Sequence, residues 1–163
     1  MIKVILRELV EKPFQLLSSD DEYLPFSLKI GKFDFLPETL YTRNICGENF
    51  IEFRFDKYTR CLYEITLVAF QPNRILGLED NSFKQVNKGI FSCMIEEDSE
   101  LEISKPMKIF RSYGTLIIVW CENDLKYFHI TENCAVGIDK DNGLSAVILT
   151  SLSEKQVEEI VGN

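Results

Sequence analysis

The sequence predicts a mainly β domain of the α+β class: an antiparallel sheet or β-sandwich built from hairpins and a meander, with a short C-terminal helix. From Phe50 onward, apolar and polar residues mostly alternate, as in half-buried strands. The tripeptide Asp141-Asn142-Gly143 is typical of a tight hairpin turn, and helical spacing follows Ser153. A length of 163 residues with 45% hydrophobic residues favours one domain, residues 1–163, around one core.

The first hairpin is predicted between residues 50 and 70. Residues 50–55 form one strand, residues 56–60 supply a polar turn, and the long alternating segment 61–70 returns. Pro72 cannot donate a hydrogen bond to a neighbouring strand, so the returning strand should end at residues 71–73. Residues 74–88 are expected to be irregular or to hold a short helix.

Strand composition resumes at residues 89–95 and is followed by the acidic segment 96–102, which we expect to be a loop running into the next strand. A second hairpin is predicted from residues 108–110 and 115–120 around a turn at 111–114. Its returning strand is apolar on both faces, as expected for a central, covered strand.

Residues 125–131 and 134–138 should continue the sheet, and residues 144–149 follow the Asn-Gly turn. Because Asn and Gly accept positive φ angles, we expect that turn to be of type I′. Together these segments predict an antiparallel meander over residues 108–149.

Both ends of the chain depart from this alternating pattern. Ser153 and Gln156 form a capping-box pair that predicts a helix start. Val157, Ile160 and Val161 would then lie on one helical face. The first 45 residues are cut by prolines and should form two strands with loops; these prolines are Pro13, Pro25 and Pro37.

Net charge restricts the class of partner. The chain has 26 acidic and 18 basic residues, a net charge of −8, which disfavours nucleic acid and anionic membranes and favours a basic partner. The apolar start of the chain is interrupted by Lys3, Arg7 and Glu8, which argues against a signal peptide. No apolar run approaches the roughly 20 residues of a membrane span. We therefore expect a cytoplasmic protein.

The five cysteines are odd in number and widely spaced, which indicates buried, reduced thiols rather than disulfides. They are Cys46, Cys61, Cys93, Cys121 and Cys134. With one histidine and no paired-cysteine motif, we expect no structural metal and no cofactor. Residues 139–143 resemble a calcium loop only superficially, because Gly143 occupies the place of an oxygen ligand. A turn explains the same residues.

His129 is the one candidate general base at neutral pH, and it lies in a predicted strand without a convincing nucleophile beside it. The sequence therefore favours a protein that is not an enzyme. Trp120, inside the most apolar strand, is expected in the core. Tyr58 and Tyr113 each lie near a predicted turn, where exposure and partner contact are as plausible as burial.

Candidate partner-binding residues are the carboxylates of two acidic clusters and the two turn tyrosines. They are Asp20, Asp21, Glu22, Glu96, Glu97, Asp98, Glu100, Tyr58 and Tyr113.

In size, acidity and lack of catalytic motifs, with its acidic clusters at Asp20–Glu22 and Glu96–Glu102, the chain resembles bacterial immunity proteins that neutralise nuclease toxins, including those of contact-dependent inhibition systems. Because such proteins share no common motif, the resemblance transfers no individual residue. It implies a non-catalytic protein that binds a basic toxin nuclease domain and blocks its active site. Carboxylates would then occupy the place of nucleic-acid phosphates, and long-range attraction would speed the encounter.

Two other functions remain open at this point. A small-ligand-binding or enzymatic β domain would use a pocket near His129, with His129, Tyr127 or a carboxylate inside it. A scaffold domain would self-associate through exposed strand edges or apolar patches. The sequence does not determine the oligomeric state.

Overall fold

The computed structural model describes residues 1–18, 26–31, 38–70, 75–77, 86–122 and 124–161. Within these ranges the chain forms fourteen strands and one helix, α1 (Glu154–Val161). In chain order the strands are β1 (Val4–Leu9), β2 (Gln15–Ser18), β3 (Phe26–Ile30), β4 (Thr39–Cys46), β5 (Asn49–Asp56), β6 (Leu62–Ala69), β7 (Ile75–Gly77), β8 (Val86–Ile95), β9 (Glu102–Ile103), β10 (Lys108–Ser112), β11 (Thr115–Val119), β12 (Lys126–Thr131), β13 (Cys134–Ile138) and β14 (Leu144–Leu149).

The strands form two sheets. The larger sheet has the order β1-β8-β12-β13-β14-β11-β10-β7, and the smaller has the order β2-β3-β6-β5-β4-β9. Neighbouring strands are antiparallel except at three parallel pairs, β8 with β12, β7 with β10, and β4 with β9. The predicted class, mainly β with a short C-terminal helix, is confirmed.

The main core combines residues from both sheets. Alternation along β5 buries Ile51, Phe53 and Phe55 completely, while the residues between them are half-buried. From the larger sheet, Trp120 packs its ring 5.9 Å from the Phe53 ring and donates a 2.8 Å hydrogen bond from Nε1 to the carbonyl of Leu144. Trp120 is therefore a core residue, as predicted, and its polar tip is satisfied.

The other face of the larger sheet carries a second apolar cluster. Ile117 and Val119 of β11 belong to it, whereas Leu116 and Ile118 belong to the main core. Every residue of β13 and β14 is buried as well. The predicted central strand with two covered faces is thus confirmed at β11.

Strand order differs from the predicted meander over residues 108–149. All pairs within this range are antiparallel, but β11 lies beside β14 rather than beside β12. The sequential meander is confined to β12, β13 and β14. The reason is that β11 and β14 are each apolar on both faces, so placing them side by side keeps both away from a sheet edge.

The N-terminal prediction of two strands in the first 45 residues is wrong, because the structure has four, β1 to β4. Residues 74–88 likewise contain β7 and the start of β8, where the sequence indicated irregular structure or a helix. β7 is three residues long and is held by parallel pairing of Ile75 with Ile109, a tertiary contact that leaves little local signal. The predicted stop at residues 71–73 lies outside the described residues.

The turn before β14 is also not the predicted type I′ turn. Only Asn142 in it has a left-handed φ, 61°, whereas a type I′ turn needs two such residues. Gly143 is needed for space instead, because a Cβ there would come within 2.5 Å of Asp139 Oδ2. Asp139 Oδ1 accepts hydrogen bonds from the backbone N–H groups of Asp141 and Gly143, at 2.9 and 2.8 Å.

The predicted capping box is confirmed, and both of its reciprocal hydrogen bonds are present. The backbone N–H of Ser153 donates to Gln156 Oε1 at 2.9 Å, and the N–H of Gln156 donates to Ser153 Oγ at 3.2 Å. Val157, Ile160 and Val161 are buried, as their spacing predicts. In the part of the chain that the structure describes, no helix has the length and apolar composition to cross a membrane.

Gly137 gives a direct test of packing between β12, β13 and β14. A Cβ at this position would lie 2.8 Å from the Cβ of Ala146, its cross-strand partner, and 2.9 Å from Tyr127 Cε1. We expect Gly137→Ala to lower the free energy of unfolding by about 1–3 kcal/mol, measured by urea denaturation. Adding Ala146→Gly removes one of the two clashes and should restore part of the loss. An unchanged urea midpoint for Gly137→Ala would contradict the packing.

Candidate functional site

The acidic segment forms a loop between β8 and β9, residues 96–101, here called the acidic loop. The start of the chain holds it in place. The N–H of Glu96 donates to the carbonyl of Lys3, and the N–H of Lys3 donates to Ser99 Oγ, both at 3.0 Å. The Lys3 ammonium pairs with Asp98, and the Met1 amine lies 2.6 Å from Glu100 Oε1. Two of the predicted contact carboxylates are therefore engaged within the protein.

These contacts shift the titration of the groups that make them. The hydrogen bond from Lys3 lowers the pKa of Asp98, and the chain's amino group lowers the pKa of Glu100 in the same way. The same contact with Asp98 raises the pKa of Lys3. At neutral pH all three groups are charged and attach the acidic loop to the start of β1.

A second element, the tyrosine turn at residues 56–60, lies against the acidic loop. Asp56 Oδ1 accepts the N–H groups of Tyr58 and Thr59 at 2.9 and 2.7 Å, which fixes the turn. Arg60 then donates from Nε to the carbonyl of Ile95 and from Nη2 to the carbonyl of Glu96, each at 2.9 Å. The side chain of Tyr58 is 75% exposed; it hydrogen-bonds to Glu38, and the Lys57 ammonium lies 6.0 Å from its ring centroid.

We call this combined region the loop–turn surface; it consists of Tyr58, Glu96, Glu97, Asp98 and Glu100. Glu97 is exposed and has no ion pair with any other described residue. Glu96 is half-buried, and its charge acts on Lys3. Glu97 is therefore the carboxylate of this surface that is most available to a partner.

The remaining predicted residues do not join this surface. Tyr113 is 90% exposed, but its turn lies beside Leu152, whose N–H donates to the carbonyl of Gly114 at 3.0 Å. That is the far end of β14, whereas the near end, at Leu144, bonds to Ile2. Six strand residues separate the two ends by roughly 17 Å. Asp20, Asp21 and Glu22 lie outside the described residues.

His129 lies on β12, on the same side of the strand as Tyr127 by alternation. Tyr127 belongs to the second apolar cluster, where burial raises its pKa to about 12. The Nδ1 atom of His129 is buried and has no hydrogen-bond partner among the described residues.

A groove of about 570 Å³ opens where β1 diverges from the turn before β14. Its wall next to His129 is made by Lys126 and Phe128, the residues that point to the opposite side of β12 from His129. Phe128 stacks edge-to-face with Phe91, with ring centroids 5.1 Å apart. The full lining is Val4, Ile5, Leu6, Phe91, Asp124, Lys126, Phe128, Ile138, Asp139, Lys140 and Asn142.

The smaller sheet also carries a buried charged cluster that the sequence did not predict. Glu64 is only 4% exposed; its Oε1 accepts a 2.6 Å hydrogen bond from Ser27, and its Oε2 lies 3.2 Å from Arg54 Nη1. Arg54 Nε also donates to Glu52 at 2.7 Å. Burial acts to lower the pKa of Arg54, but these carboxylates outweigh it and the pKa is raised. A glutamate within an apolar strand is the available sequence signal for such a pairing.

The cysteine prediction is correct for two residues and wrong for three. Cys93 and Cys134 are buried, whereas Cys46, Cys61 and Cys121 are partly exposed; all five are free thiols. Within the described ranges, no group of three or more His, Cys, Asp or Glu side chains is arranged to hold a metal ion.

No protein-family model matches the sequence, and no curated protein matches it significantly.

Thiol reactivity should follow burial. Burial raises the pKa of Cys93 to about 12 and raises that of Cys134 further, so neither forms a thiolate near pH 8. We expect iodoacetamide to label Cys46, Cys61 and Cys121 in the native protein and to leave Cys93 and Cys134 unlabelled until urea is added. Peptide mass spectrometry measures this. Labelling of Cys93 or Cys134 at the rate of Cys46 would show that the core around them is more accessible to solvent than their burial indicates.

Attachment of the acidic loop should depend on pH. Carboxylates with a depressed pKa in the folded protein stabilise it above their ordinary value, about 4, and lose that contribution as pH falls through the folded value. The raised pKa of Lys3 keeps its charge until strongly alkaline pH. We therefore expect the Ser99 and Glu100 amide signals in NMR to be constant from pH 7 to 5 and to move below about pH 4.

The control for this experiment is Asp98→Asn, which removes the ion pair with Lys3 at every pH. Its loop signals should already be shifted at pH 7 and should show a smaller change on acidification. Identical titrations of the two proteins would mean that Asp98 does not attach the loop.

Proposed function

We propose that the protein is a non-catalytic binding protein that inhibits a basic partner, a toxin nuclease domain, by covering its active site with the loop–turn surface. The observation that carries this proposal is the double hydrogen bond from Arg60 to the start of the acidic loop. It attaches the turn that carries the exposed Tyr58 to the start of the acidic loop.

The chemistry of this surface suits a cationic site. Tyrosine buries a large area at low entropic cost and is frequent among residues that dominate binding energy. Carboxylates attract the Lys and Arg side chains with which a nuclease binds phosphate. The charge of −8 on the whole chain adds long-range attraction, which speeds encounter at low salt.

Internal ion pairs limit which carboxylates contribute. Asp98 and Glu100 are partly neutralised by Lys3 and the Met1 amine, so reversing their charge would also release the loop. Reversing the charge of Glu97 would not release the loop, because Glu97 is exposed and has no ion pair within the described chain. The preorganised loop presents Glu97 without an ordering cost at binding.

The test is a capture experiment with two matched double variants. Tagged wild-type protein is incubated with extract of its native cells, eluted by a salt gradient, and the retained proteins are identified by mass spectrometry. We expect a stoichiometric basic nuclease, inhibited in the complex and released at high salt. Tyr58→Ala with Glu97→Lys should lower affinity about 30-fold or more and flatten its salt dependence.

The control is Tyr113→Ala with Glu158→Lys, which makes the same chemical changes at exposed positions outside the loop–turn surface. It should bind like the wild type. Absence of any retained basic protein contradicts the inhibitor function, whereas equal loss in both double variants contradicts the location of the site.

A further inference from the structure

The groove beside β1 is an opening into the main core. β1, β8, β12, β13 and β14 are neighbours in that order, and the start of β1 also bonds to the start of β14. The N–H of Leu144 donates to the carbonyl of Ile2 at 2.8 Å, and the N–H of Val4 donates to the carbonyl of Asn142 at 3.0 Å. Beyond Val4 these two segments share no further backbone hydrogen bond among the described residues, and the groove opens there.

The floor of the groove is made of apolar side chains that continue the core. Val4 and Ile138 belong to the main core, and Leu6 and Phe128 pack against it while remaining only partly buried. Phe91 completes the floor, with its ring edge-to-face with that of Phe128. Contact between such a surface and water is unfavourable, so an apolar ligand gains free energy by covering it. The volume of about 570 Å³ lies within the range of small-molecule sites.

The charged residues of the lining sum to zero. Lys126 and Lys140 contribute two positive charges, and Asp124 and Asp139 contribute two negative charges. The whole chain has a net charge of −8, so this opening is a neutral region of an acidic protein. A charged ligand would leave water for an apolar floor with no net opposite charge to compensate it. The lining therefore favours an uncharged ligand.

One edge of the groove offers unused backbone hydrogen-bonding groups. Val4, Ile5 and Leu6 all line the groove although consecutive side chains point to opposite faces, so the groove follows the backbone of β1. Backbone groups alternate in direction along an antiparallel strand, which places the N–H and C=O of Leu6 on the same edge as the N–H of Val4. Neither group of Leu6 has a partner on that edge within the described ranges. A hydroxyl or carbonyl group of a ligand can bond to either one.

We propose that this opening binds an uncharged amphiphile, a small molecule with an apolar body and one hydroxyl or carbonyl group. The apolar body would lie against Phe91, Phe128 and Ile138, and the polar group would bond to the backbone of Leu6. The site uses none of the residues of the loop–turn surface and does not depend on the proposed function.

The experiment compares three probes whose carbon chains have the same length and whose head groups differ: 1-decanol, decanoate and decylammonium, each below its micelle concentration at pH 7. Amide signals in NMR spectra of the full-length protein report binding. We expect decanol to shift the signals of Leu6, Phe91 and Phe128 in a saturable way and to leave those of Tyr58 and Glu97 in place. It should bind about 10-fold tighter than either charged probe, because neither charge is compensated in the groove.

Three results would each overturn the proposal. No saturable shift with any probe would mean that the groove is not a ligand site. Binding of decanoate or decylammonium at least as tight as that of decanol would mean that the site does not select an uncharged head group. Shifts confined to residues away from the groove would place the probe elsewhere on the protein.

Variants of the floor locate the site. Leu6→Trp puts a larger side chain into the groove and should weaken decanol binding about 10-fold or more, whereas Leu6→Met, which has a similar volume, should not. Unchanged decanol affinity in a folded Leu6→Trp protein would contradict the location.

Variants of the charged lining test the charge balance. Lys126→Gln with Lys140→Gln leaves the two aspartates unopposed, so decylammonium should bind about 3-fold tighter while decanol binds as before. The control Lys155→Gln, on α1, should change neither affinity. Because Lys126 and Lys140 are exposed, this pair remains informative if Leu6→Trp is unstable. Equal affinities for decylammonium before and after the double substitution would mean that the lining charges do not act on the ligand.

Discussion

The architecture depends on the burial of both faces of β11, β13 and β14. A strand that is apolar on both faces would expose apolar surface to water at a sheet edge, which costs free energy. Such strands therefore lie in the middle of the sheet, with other residues packed against each face. The main core covers one face, with Trp120 and Phe53 at its centre, and the cluster around Ile117 and Val119 lies on the other. With these strands central, β1 and β7 form the edges of the larger sheet. The loop–turn surface lies where the turn between β5 and β6 meets the loop between β8 and β9.

Local sequence signals predicted those elements whose structure is decided locally. The capping pair Ser153 and Gln156 and the alternation along β5 determine their elements within a few residues, and both predictions are confirmed. β7 and the pairing of β11 with β14 depend on contacts between residues far apart in the chain, which leave no periodic pattern. Gly143 illustrates the same limit. Its neighbour Asn142 suggested a turn type, whereas the glycine is required by the approach of Asp139.

The candidate site was predictable in composition but not in arrangement. An acidic run and a turn tyrosine are visible in the sequence, and the structure holds the tyrosine turn against the acidic loop while placing Tyr113 at the far end of β14. What joins them is Arg60, which adopts a left-handed φ of 61° and donates to two backbone carbonyls. A lone arginine in a polar turn gives no sign of that role. The groove escaped prediction because its walls come from β1, β8, β12 and the turn before β14.

Residues 1–4 connect the acidic loop with the groove beside β1. Lys3 contacts the acidic loop through Asp98 and Ser99, and its backbone forms the bridge to Gly143 beside the groove. Any movement of the start of β1 would therefore act on the same residue that holds Asp98. Because Lys3 supplies both an ion pair and strand pairing, its displacement would free a carboxylate on the loop–turn surface and raise the negative charge offered there. Lys3 is thus the link between the acidic loop and the turn before β14.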